Sequence, residues 1–294
     1  MTCLNRLREW VPLLKRVSVT DFRLVTRRYR DRTSRAVQRF ANFRDQRCAT
    51  FRRPCSSLCE VGALRKPMIE VQRTKESHMY LELSADELLT TTRAVRKRLD
   101  LNRPVERSLL VECTDIAFQS PTGSNAQGWH FLFVEDAEKK RQLADLYGQG
   151  FDPYVNGPPR EYAPGDIRAE RAEFVRGSAK HLREVFHEVP VLLVPLMLGR
   201  PEGVDAFGQA SMWGSIIPAV WSFMLAARER GLGSAWTTLH LPFEKEAAEV
   251  LGVDYNQWTQ VGLFPVAHTI GTDFKKAPRL DTAGLVSFDT FGSQ

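Results

Sequence analysis

Ser120-Pro121-Thr122-Gly123-Ser124-Asn125-Ala126-Gln127-Gly128-Trp129 is the stretch on which the reading of this chain turns. It packs a turn, small hydroxyl residues, two amide side chains and a tryptophan into one short loop. An apolar run suited to a strand, residues 130–134, follows at once. Turn residues between two periodic segments also describe an ordinary connection. The chemistry here suits something more specific. Asn125, Gln127 and bare backbone present donors and acceptors together, a match for the polar edge of a flat heterocycle such as a flavin.

Upstream, Ser84-Ala85-Asp86-Glu87 is a capping box that predicts a helix to about Leu99, with Arg93 and Arg96 three apart on one face. Pro104 suits the first turn of a second helix, whose Leu109, Leu110, Cys113, Ile116 and Ala117 keep helical spacing. Downstream, residues 137–147 read as a charged helix. Residues 148–165, rich in Pro, Gly and Tyr, read as a long loop of the length often used as a lid or binding loop, in which Tyr154 and Tyr162 either line a substrate entrance or, the commoner case, face solvent. A mixed-charge helix at 166–187 and a buried strand at 190–198 come next. Residues 211–230 form a helix apolar on every side that ends at Gly231, which suits a subunit interface as well as a core. Strands at 234–239 and 261–268 flank a last helix at 242–251. Helices packed on a small sheet define an α+β class.

Several of these segments, in order, resemble the nitroreductase family of FMN-dependent oxidoreductases. The family's R-R-S-x-R pattern is matched by Thr92-Arg93-Ala94-Val95-Arg96. Its P-S-x-x-N-x-Q-P-W loop is matched by Pro121, Thr122, Asn125, Gln127, Gly128 and Trp129, and its L-x-A-x-x-x-G-L-G-S helix end by residues 225–234. Gly262-Leu263-Phe264-Pro265, then Lys275, Lys276 and Arg279, resemble the closing strand and basic residues. The resemblance covers about residues 81–289. Thr92 and Ala94 depart from the pattern, and the lost hydroxyl donor is worth about 1 kcal/mol.

The resemblance implies helices around a central, mainly antiparallel sheet, in an intertwined homodimer with the flavin at the interface. It implies FMN as cofactor and NADH or NADPH as donor of hydride to flavin N5, followed by transfer to a small acceptor such as a nitroaromatic or quinone. Arg93, Ala94, Val95, Arg96, Lys276 and Arg279 are then expected at the phosphate and ribityl chain. Pro121, Thr122, Gly123, Ser124, Asn125 and Gln127 are expected at the pyrimidine edge, and Thr237, Thr238 and Leu239 beside the reactive face. Trp129 is expected to pack beside the loop. No side chain is expected to act as acid, base or nucleophile, because the flavin carries the chemistry. A deazaflavin, a flavin-sequestering protein without turnover, and a nucleic-acid binder working through a basic arm stay open.

The net charge of +6 hides two opposite parts. Residues 1–78 carry +12, with Arg outnumbering Lys 16 to 3, whereas residues 79–294 carry −6. That first stretch reads as an Arg-rich extension, disordered or an over-called start, ahead of one FMN-binding domain at 79–294. Four of the five cysteines lie in it, and Cys55 and Cys59 lack a second ligand pair, so no zinc site is expected. The six histidines show no metal-ligand spacing. The one body thiol, Cys113, falls on an apolar helical face and suits a buried packing residue in a reducing cytoplasm. No apolar run of about eighteen residues is seen, so no membrane partner is expected.

Overall fold

The computed structural model describes residues 80–158 and 160–293. The expectations for residues 1–78 lie outside the described residues. A five-stranded antiparallel sheet is built from β1 (Trp129–Val134), β2 (Val191–Leu198), β3 (Leu232–Ser234), β4 (Trp258–Gln260) and β5 (Phe264–His268). Its order is β1-β2-β5-β3, with β4 also paired to β2. The whole of β1 lies along β2, from Trp129 opposite Met197 to Val134 opposite Leu192. On the other edge of β2, β5 pairs with residues 191–193 and β4 with 196–198. Pro195 sits in the gap between them, where its missing N–H forfeits no ladder bond.

The period of two along each strand sorts the core into two layers. Val191, Leu193 and Met197 of β2, Phe131 of β1, and Phe264 and Val266 of β5 face α2 (Arg107–Ala117) and α5 (Ala206–Glu229). Leu192, Val194, Leu196, Val134 and Ala267 face α3 (Ala137–Asn156), α4 (Ile167–Val185) and α6 (Glu244–Leu251). Phe186, Phe223 and Phe264 are wholly buried. Each such side chain contributes about 1.5–3 kcal/mol by leaving water. The α+β arrangement on a mainly antiparallel sheet is therefore as expected.

Several element boundaries differ from expectation. α1 (Ala85–Thr91) stops early: Thr90, Thr91 and Thr92 each turn a hydroxyl back onto a carbonyl one turn earlier, and Thr92 leaves the helix extended. α2 opens at Arg107, beyond Pro104. α3 runs on through residues 148–156, so the lid-like loop shrinks to residues 157–166. Gly150 is there for packing rather than for a turn, since a Cβ on it would lie 1.8 Å from the Leu239 carbonyl oxygen. The strand expected at 234–239 ends at Ser234, with one isolated bridge from Thr237 to Leu263.

α5 begins earlier than expected, capped by Asp205 accepting from the Gly208 N–H at 2.8 Å. Contrary to the expectation of no span-length segment, it is long and apolar enough by length and composition to cross a bilayer. Only 39% of that window is buried in the protomer. Ile216, Val220, Phe223 and Ala227 enter the core, and an apolar face is left over.

Candidate functional site

The arginine group comes from the loop between α1 and α2. Ala94 bridges Ser234 in parallel, and the Val95 N–H donates to the Ser234 carbonyl at 2.9 Å. Val95 is buried against Gly233, so Arg93 and Arg96 emerge on either side of a pinned residue rather than from one helix face. Arg93 is half-buried; burial lowers its pKa, and Arg279 and Arg171 push it the same way. Arg96 is pushed down by burial against a smaller opposing pull from Tyr147, and it donates to the Ser178 hydroxyl at 3.5 Å. Among the described residues no carboxylate pairs with Arg93 or Arg96. Cations gathered out of water without a counter-ion are the signature of a site for an anion.

Arg279, expected at this place, is brought there. Lys275 and Lys276 are exposed, and no contact ties them to the group. Arg171 on α4 is a further member that the sequence did not disclose, one arginine among many in a mixed-charge helix.

The loop at residues 120–129 is strained. Ser124, Asn125 and Gln127 hold φ at 53°, 53° and 49°. A left-handed conformation costs an L-residue about 1–2 kcal/mol. Hydrogen bonds keep it in place: Gln127 Nε2 donates to Asn125 Oδ1 at 2.8 Å, the Gln127 N–H to Thr122 Oγ1 at 3.2 Å, and the Gly123 N–H to Ser215 Oγ at 3.0 Å. Gly123 must be glycine-like in bulk, as a Cβ would lie 2.5 Å from Ser211 Oγ on α5. The residues of the turn stay exposed. Backbone strain retained in an exposed loop points to function. Trp129 stacks on Phe118, centroids 5.1 Å apart, and packs against the core as expected.

Residues 237–239 divide their roles. The buried Thr237 hydroxyl donates to the Leu263 carbonyl, and the Leu263 N–H returns a bond at 2.9 Å. Leu239 lays its carbonyl into the Gly150 notch. Thr238 between them is exposed. It is therefore Thr238, rather than Thr237, whose hydroxyl is available. No hydrogen bond among the described residues joins the arginine group to the 120–129 loop, which packs on α5. The wholly buried Cys113 has its thiol pushed up to about 12 by burial, so it stays protonated and packs.

A sheet between two helical layers, with an uncompensated arginine group and a strained polar loop, defines a fold and site suited to a flat, anionic cofactor. The model of the Nitroreductase family matches residues 89–268, and the chain belongs to that family. It is 28% identical over 141 residues to "Putative NAD(P)H nitroreductase YodC" of Bacillus subtilis (strain 168), covering 47% of this chain and 68% of that one. It is 27% identical over 143 residues to 5,6-dimethylbenzimidazole synthase of Rhodospirillum rubrum, covering 47% and 61%. Among solved structures, iodotyrosine deiodinase bound to FMN and 3-iodo-L-tyrosine shares the fold with a TM-score of 0.53 at 23% identity, over 70% of this chain and 99% of that one.

Proposed function

We propose that this protein is an FMN-dependent oxidoreductase that uses NADH or NADPH to reduce a small acceptor such as a nitroaromatic or a quinone. The observation that carries it is the group of half-buried Arg93 with the exposed Arg279 and Arg171, close enough to push the Arg93 pKa down and, among the described residues, without a carboxylate paired to Arg93. A phosphate dianion satisfies all three at once. Bound FMN would supply hydride acceptance from the nicotinamide and delivery of electrons to the acceptor at the same ring face. The chain's own residues bind and orient it. Asn125, Gln127 and the loop backbone offer donors and acceptors to the ring edge, and Thr238 offers a hydroxyl beside the face. The family relatives named above carry different activities, so the acceptor is the open variable, and the single thiol of the body suits a cytoplasmic site of action.

We further propose a homodimer closed through α5. Phe207, Ala210, Gly214, Ile217 and Trp221 are all exposed and fall at alternating spacings of three and four, a coiled-coil seam left without a partner in the protomer. A second copy laid on this seam approaches the 120–129 loop, which rests on the same helix.

The test is the visible spectrum of purified protein, the identity of the released chromophore, and anaerobic addition of NADH or NADPH. A yellow protein that releases FMN and bleaches supports the proposal. Colourless protein that takes up no FMN overturns it, and flavin that binds but never bleaches identifies a flavin-binding protein without turnover.

A further inference from the structure

We infer that His240 is a positioning residue for Thr238, held in place by a buried hydrogen-bond relay through Gln260 and Glu244 to Arg200; this rests on the flavin reading above. His240 is wholly buried and follows directly on the 237–239 segment. Its Nε2 lies 3.2 Å from Gln260 Oε1. The Gln260 amide cannot turn over, because its Nε2 donates to the Glu244 carbonyl at 2.8 Å. Gln260 Oε1 is therefore an acceptor, and His240 must carry its proton on Nε2. The Gln260 backbone N–H donates to Glu244 Oε1 at 2.7 Å. Arg200 clasps the same carboxylate at 2.8 and 2.9 Å and sits over the Tyr255 ring, 4.1 Å from its centroid.

The relay ties three elements to one point of the backbone: the loop after β2, the start of α6 and the end of β4. On the other side, the Phe243 N–H donates to the His240 carbonyl at 2.8 Å, and the Leu241 N–H to the Thr238 carbonyl at 3.0 Å. Thr238 is thus an exposed residue between two fixed ones, Thr237 on Leu263 and His240 on Gln260. The arrangement leaves His240 Nδ1 buried without a donor among the described residues. A leucine would fill similar space without that cost, so packing alone does not account for an imidazole here. Burial also pushes the ring down to about 4, which keeps it neutral and its tautomer fixed across the working range.

The experiment compares wild type, His240→Leu, His240→Gln and Gln260→Leu. Three quantities are read: amide hydrogen exchange at residues 238–241 in cofactor-free protein, FMN affinity by fluorescence quenching, and the anaerobic rate of flavin reduction by NADPH. His240→Leu and Gln260→Leu are expected to raise exchange and slow reduction about tenfold while FMN affinity stays within about threefold. His240→Gln keeps an N–H facing Gln260 Oε1 and is expected to recover both to within about threefold. Unchanged exchange in both leucine variants, or His240→Gln as impaired as His240→Leu, overturns the assignment. If His240→Leu fails to fold, Gln260→Leu and His240→Gln make the same comparison. Failure of wild type to bind FMN sinks the flavin reading and with it any role beside a flavin, while the exchange measurement alone still decides whether His240 fixes the segment.

Discussion

Arg93 shows how a single residue can point to the charge of a ligand. Two other guanidiniums push on it and, among the described residues, no carboxylate pairs with it, so a bound anion would relieve a repulsion that the protein alone must bear. Arg93→Ala should accordingly weaken FMN binding about 10- to 100-fold, the loss of one charge-assisted contact. The melting temperature of the cofactor-free protein should stay level or rise. A fluorescence titration and a thermal melt of the same sample check both halves. His240 gives a second expectation at this scale. Its ring is neutral in the native state with a pKa of about 4, against 6.5 for an ordinary histidine. The unfolded chain therefore takes up the extra proton first, and stability should fall as pH drops from about 6.5 to about 4, by on the order of 3 kcal/mol. His268, also pushed down by burial, adds in the same direction. Urea titrations across that window should show a shallower pH slope for His240→Gln than for wild type. Asn125, Gln127, Arg93 and Arg279 were legible in the sequence because their spacing follows a family pattern. Arg171 was not, because it arrives at the site through the packing of α4, which no local spacing encodes. His240 is hidden in the sequence for a similar reason: only tertiary contact with Gln260 makes it more than a core histidine.

Among the elements, those with a strong period were read correctly and those carrying turn residues were not. β1 and β2 announce themselves through apolar runs, and every residue of β1 is paired with one of β2. The stretch at 148–156 looked like a loop because Gly148, Gly150 and Pro153 punctuate it. Its glycines instead admit close neighbours: a Cβ on Gly148 would meet the Arg183 guanidinium at 2.1 Å. The Pro153 ring interrupts the helical ladder only in its last turn, where the cost is least. α5 read as apolar all round, and the structure sorts that into a core face and a second, exposed seam. Ile217, 41% exposed, sits within the seam between Gly214 and Trp221. Ile217→Asp places a charge where two copies would meet, and a desolvated, unpaired carboxylate there costs several kcal/mol. Light scattering is expected to show wild type as a dimer and Ile217→Asp as a monomer at micromolar concentration. Circular dichroism of the monomer should stay native, since Ile217 does not enter the core. A wild-type monomer that still retains flavin would refute the seam.

At the scale of the whole molecule, the cofactor should act as a structural member. Its proposed contacts come from the α1–α2 loop, the C-terminal segment, α4 and the residues after β3, so one ligand would add to the bonds that already tie the α1–α2 loop to the C-terminal segment and β3. A ligand that binds only the native state stabilises it by about 2.7 kcal/mol at one hundred times its Kd. For a folded body of this size each kcal/mol moves the melting point by about 2–4 °C, so saturating FMN should raise it by about 5–10 °C. Riboflavin has the same ring without the phosphate and tests which half of the site does the anchoring. If three arginines hold the tail, losing their charge-assisted bonds weakens binding about 100-fold, and the same concentration of riboflavin then stabilises by only about 0.4 kcal/mol. Its shift should stay under about 2 °C. Added salt should erode the FMN shift and leave the riboflavin shift in place, because only the former depends on charges partly open to solvent. Equal shifts from the two flavins at low salt would mean that the ring edge alone carries the affinity and that the arginine group serves another anion.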